Sequence, residues 1–152
     1  MLGLLVACQP ALNWREVRPE KSGVAAVFPC KPEVEQRPGM GLAQCEADGG
    51  RFSLSWADAP EGSQAGPALR AMAAAVATKL GQPLPSPQRL VVAGMTPLPE
   101  AAQYRLNGGG SVTRVAVFSH GARVYQAMMS GPKSDAAAWD SLIGGLRIEA
   151  AR

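Results

Sequence analysis

Gly49-Gly50-Arg51-Phe52-Ser53-Leu54-Ser55-Trp56-Ala57 is the stretch that decides the fold of this chain. Two glycines accept the positive φ of a tight turn without steric cost. The residues after them alternate bulky apolar and small polar side chains. A period of two places Phe52, Leu54 and Trp56 on one face and Ser53 and Ser55 on the other, which is a strand with one side on a core. Residues 42–47, on the far side of the turn, form its antiparallel partner, so the two make a β-hairpin.

Working outward, Val24-Ala25-Ala26-Val27-Phe28 is a short β-prone run stopped by Pro29 and reads as an earlier strand. Glu33 and Glu35 are spaced like one face of a strand and are expected as solvated acids, followed by a loop at Pro38-Gly39. Beyond the hairpin, Gly62 to Gly66 is a loop and Pro67 suits a first helical turn. Leu69, Met72, Ala73, Val76 and Leu80 fall along one helical stripe, and Gly81 stands at the expected C-terminal stop. After a Pro-rich connector the spacing predicts strands over 89–93, 101–106, 111–119 and 123–129, the middle turns carrying Gly108-Gly109-Gly110 and His120-Gly121. Ser134 is the expected cap of a second helix running to 143, buried through Ala138, Trp139, Leu142 and Ile143 and ended by Gly144-Gly145. A short strand over 146–148 closes the chain. Strands outnumber helices and follow one another through short turns, so the class is α+β: a mostly antiparallel sheet flanked by two main helices.

This order resembles the PsbP-like α/β/α sandwich, shared by a photosystem II extrinsic protein and small bacterial lipoproteins. The likeness is carried by Val27-Phe28-Pro29 with Lys31-Pro32, by Phe52-Ser53-Leu54-Ser55-Trp56, by the Ala/Leu-striped helix and by the loop over 94–100. Gly121-Ala122-Arg123-Val124-Tyr125-Gln126 and the aromatic-bearing last helix complete it. It spans residues 24–148. The resemblance implies a non-catalytic domain that binds other proteins or supports complexes, and it supplies no site residue to transfer.

A second resemblance sits at the start. Leu4-Leu5-Val6-Ala7-Cys8 is an apolar run ending in a small residue and a cysteine, and is similar to the lipobox of bacterial lipoproteins. The likeness implies a diacylglyceryl group on Cys8, removal of the preceding residues, and an envelope location facing the periplasm. Gln9, as a non-aspartate, implies sorting to the outer membrane. The bland alternative is a buried N-terminal strand with a free thiol. The apolar run is too short to span a bilayer. The chain is therefore divided into residues 1–8 (signal remnant and lipobox), 9–22 (flexible tether) and 23–152 (single α+β domain). Several acyl chains anchor durably where one does not.

With Cys8 assigned to lipid, Cys30 and Cys45 remain as an even pair near the ends of neighbouring strands. In an oxidising compartment they are expected to form a disulfide, the alternative being two buried thiols. One histidine and no closely spaced cysteine pair argue against a metal site, and no cofactor is expected. The net charge of +3 comes from 15 basic and 12 acidic residues scattered singly, so nucleic acid is not an expected partner. His120 lies in a turn with no acid or nucleophile placed beside it by spacing, and no enzyme is expected. Trp56 and Arg123 are candidate partner contacts if exposed, since Trp and Arg dominate binding hot spots. The alternation of Trp56 with Phe52 and Leu54 favours the core, and Tyr104 and Tyr125 are expected to pack as a pair. Two functions follow: a lipid-anchored protein-binding or accessory domain, or a periplasmic carrier of a small ligand or lipid, in a pocket between the first helix and the sheet.

Overall fold

The computed structural model describes residues 12–59, 64–132 and 135–149. The motif at Leu4 to Cys8 with Gln9, and the expected cap Ser134, lie outside the described residues. The elements are β1 (Arg15–Val17), β2 (Val24–Phe28), β3 (Glu33–Arg37), β4 (Met40–Ala47), β5 (Gly50–Asp58) and α1 (Ala65–Lys79). There follow β6 (Gln88–Arg89), β7 (Ala102–Gly108), β8 (Ser111–His120), β9 (Arg123–Gly131), α2 (Ala136–Gly144) and β10 (Arg147–Ile148).

Seven strands form one antiparallel sheet in the order β3-β4-β5-β9-β8-β7-β6, and β1-β2-β10 form a small second sheet. The fold is α+β, with one helix on each side of the large sheet. On one side Phe52, Leu54, Trp56, Phe118, Tyr125 and Met129 pack against β2 and against Ala138, Trp139 and Leu142 of α2. Each such large side chain removed from water stabilises by about 1.5–3 kcal/mol. The indole of Trp139 is buried with its N–H donated to the Gln103 side chain at 2.8 Å, which satisfies its polar edge. On the other side Leu69, Ala73 and Ala77 of α1, spaced four apart, seat on Tyr104, Leu106, Val115 and Val117. The helix closes as expected at Gly81 (φ +67°): Gln82 donates to the Ala77 carbonyl at 2.9 Å and Gly81 to that of Thr78 at 3.0 Å.

Several sequence expectations change. The tether expected over 9–22 is taken up in part by the fold: β1 pairs antiparallel with β2, Asn13 donates to the Pro29 carbonyl at 2.9 Å, and Trp14 meets Phe52 edge-on at 6.1 Å. Arg18–Glu149 (2.7 Å) and Arg147–Glu16 (2.5 Å) ion pairs tie β1 to β10. The expected strand over 89–93 pairs only at Gln88–Arg89. Leu90 and Val92 then turn into the core, and Ala93 bridges Arg147 in parallel. Residues 33–37 are a full strand. Asp135 caps α2, accepting from the Ala138 N–H at 2.9 Å. Tyr104 and Tyr125 are not a pair, because β8 lies between their strands and they face opposite sides of the sheet; Tyr125 stacks on Phe118 at 5.1 Å instead.

The Cys30–Cys45 disulfide is formed, joining the end of β2 to β4 across 15 positions of chain.

Candidate functional site: an open groove beside α1

Seven strands at about 4.8 Å spacing make a sheet roughly 29 Å wide, whereas a helix with its side chains is about 10 Å across. One helix cannot cover that face, and α1 sits over β8 and β9. The α1 side of β3, β4 and β5 is left open. The result is a groove of about 590 Å³.

Strand register builds its floor in two rows. Glu35, Leu42, Ser55 and Gln126 lie opposite one another across four strands, and Arg37, Met40, Ala57 and Val124 form the next row. Ala68 and Met72 of α1 make the wall. Met40 is 51% exposed and Met72 half-buried, so two flexible thioethers flank the apolar strip. Methionine adapts to irregular partners better than branched side chains do. Glu35 and Arg37 form the outer rim on β3. Ser55 donates weakly, at 3.5 Å, to the Gln126 carbonyl inside the floor.

At its upper end the groove adjoins a polar hollow of about 490 Å³ bordered by Lys21, Arg37, Asp58 and Arg123. Arg123 bonds Asp58 at 3.0 Å and the Lys21 carbonyl, and its side chain is 29% exposed. It clamps β5 to the β1–β2 loop and is not a free cation offered to a partner. Trp56 is 3% exposed and packs as core against Tyr125, its opposite number on β9, so it presents no surface for a partner. Behind Arg123, burial pushes the Tyr125 phenol above its ordinary pKa of 10.0, with the guanidinium pulling the other way.

The remaining sequence candidates stay apart. His120 is exposed, with Nδ1 3.0 Å from the Gly94 carbonyl. Gly109 and Gly110 carry positive φ in the β7–β8 turn and open no helix. Among the described residues no group of three metal-binding side chains assembles, and no helix is long and apolar enough to cross a membrane. Ala73 and Ala77 of α1, where small side chains suggested a pocket between helix and sheet, are instead packed on Tyr104, Leu106, Val115 and Val117. The groove lies beside the helix, which reaches it through Ala68 and Met72. The hairpin β4–β5 and strand β9 of its floor are legible in the sequence, whereas the outer strand β3 is signalled only by the spacing of Glu33 and Glu35.

No family model matches the chain, and no curated protein does. A crystal structure of a protein from Bacteroides thetaiotaomicron, determined at 1.50 Å resolution, is similar at 13% identity and a TM-score of 0.49. The match covers 86% of this chain and 46% of that one, so the chain spans less than half the length of that protein.

Proposed function

We propose that this chain is a lipid-anchored protein of a bacterial cell envelope, held through Cys8 and facing the periplasm, whose PsbP-like domain binds another protein without catalysis. The outer membrane is the proposed site of the anchor. The observation that supports binding is the open groove beside α1, where Met40, Leu42 and Met72 are left accessible on a rigid sheet. Apolar surface that a fold leaves uncovered and rims with charge marks an interaction site.

The test combines two measurements on the full chain expressed from its own locus. Intact mass of the membrane-extracted protein should begin at Cys8 and carry acyl additions; an unmodified chain retaining Met1 overturns the anchor. A photo-crosslinking residue at Met72 should yield one discrete adduct in the envelope, abolished by Leu42→Arg; no adduct there overturns the binding reading.

The groove also supports a second reading. Its volume falls within the roughly 300–1,000 Å³ of small-molecule pockets. The domain would then carry a small ligand or lipid. Gentle native mass spectrometry distinguishes the two: a bound lipid-sized mass released by Met72→Lys favours the carrier.

A further inference from the structure

We propose that the outer wall of the groove, the edge strand β3, accepts an extended segment of the partner as an eighth strand. The groove-side residues of that segment are basic opposite Glu33 and Glu35 and acidic opposite Arg37. This rests on the protein-binding reading and names its partner chemistry.

β3 is the terminal strand of the large sheet, and all five of its residues are exposed. Its outer row of backbone N–H and C=O groups has no neighbouring strand among the described residues. Such an edge pairs with an extended peptide, whose main chain supplies affinity while alternate side chains supply specificity. Register fixes which side chains meet the newcomer on the groove side: Glu33 lies opposite Gln44, Glu35 opposite Leu42 and Arg37 opposite Met40. Their order is acid, acid, base, and none of the three makes an ion pair among the described residues. Opposite charges directly across a strand pair stabilise it and like charges destabilise it. Lys or Arg at the matching positions would also lay aliphatic stems toward Leu42 and Met40 while their heads meet the carboxylates.

A second copy of this chain is a less complementary occupant than the segment described. In the fullest antiparallel overlap that keeps both grooves on one side, Glu33 of each copy meets Arg37 of the other, but the two Glu35 carboxylates face each other. A copy thus matches the charges at two positions where the complementary segment matches all three. Shifting by one such step opposes Glu33 to Glu35 in one direction and pairs Glu35 with Arg37 in the other, each with a shorter overlap than the full strand. Pro32 and Pro38 bracket the strand and limit the added pairing to about five residues.

The experiment uses the full chain and two labelled heptapeptides. One is Thr-Glu-Val-Lys-Val-Lys-Thr, complementary in antiparallel register, and the other is its charge inverse, Thr-Lys-Val-Glu-Val-Glu-Thr. Fluorescence anisotropy should give about tenfold tighter binding of the first, and amide hydrogen exchange should slow within 33–37. The surface variant Glu33→Lys/Glu35→Lys/Arg37→Glu should reverse the preference. Equal affinities, an unreversed preference, unchanged exchange over 33–37, or no binding of either peptide each overturns the inference. If β3 fails these tests while the Met72 adduct persists, the edge inference falls and the protein-binding reading stands. If the adduct is absent while β3 discriminates the peptides, the fault lies in the groove reading.

Discussion

The phenol of Tyr125, on β9 in the middle of the large sheet, donates a 2.7 Å hydrogen bond to the carbonyl of Ser22 in the loop before β2. The contact joins residues 103 apart in sequence and fastens the small sheet to the large one. Gly23 makes room for it, since a Cβ there would stand 3.2 Å from the phenol oxygen. Tyr125→Phe keeps the stacking on Phe118 and leaves a buried carbonyl unpaired. It should cost about 1–3 kcal/mol in urea unfolding, with an unchanged circular dichroism spectrum.

The same phenol gives a pH dependence. Burial raises its pKa above 10.0, so the folded state holds the proton more tightly than the unfolded chain. Its contribution is fully present below the unfolded value and is lost as pH rises through the folded one. Unfolding free energy measured between about pH 8 and about pH 11 should fall more steeply in the native chain than in Tyr125→Phe. Parallel slopes would remove Tyr125 as the cause.

Gly41 and Trp56 are partners across β4 and β5, and a Cβ on Gly41 would lie 2.1 Å from the indole Cζ2. Both atoms belong to a packed sheet, so neither side can give way cheaply. Gly41→Ala should destabilise by about 1–3 kcal/mol and alter the tryptophan near-ultraviolet spectrum.

At the end of α2, a Cβ on Gly145 would meet Val27 Cγ2 at 2.1 Å. The backbone there has φ −86°, so glycine is required for close approach and not for turn geometry. Gly145→Ala should destabilise the fold, and adding Val27→Ala should restore most of the loss. A double-mutant cycle with no coupling would disprove the contact.

Replacing Cys30 and Cys45 together by alanine frees a loop of 15 positions and should cost about 3 kcal/mol on the chain-entropy account. The disulfide closes the segment containing β3, so hydrogen exchange in β3 should accelerate before that in β8. Uniform acceleration would show that the bridge acts only on the unfolded chain.

Much of the sheet was legible because its signal is local. Phe52, Leu54 and Trp56 declare a buried face through a period of two, and glycine turns separate the strands of the second half. β3 was less legible: Glu33-Val34-Glu35-Gln36-Arg37 is exposed on both faces, so it has no apolar alternation to read. It is a strand because β4 offers an edge with free hydrogen-bonding groups. β1 likewise exists because β2 pairs with it and Trp14 reaches Phe52.

The sequence by itself determined the α+β class, the two helices and the central hairpin through short-range periodicity and turn chemistry. It also placed Cys30 and Cys45 near the ends of neighbouring strands, the third cysteine being set aside by its resemblance to a lipobox. Tertiary structure alone decided that Tyr104 and Tyr125 face opposite ways, that Gly41 and Gly145 must lack side chains, and that a groove opens beside α1. These depend on strand order and register, where one residue of slip exchanges the faces, and on one helix being too narrow to cover seven strands.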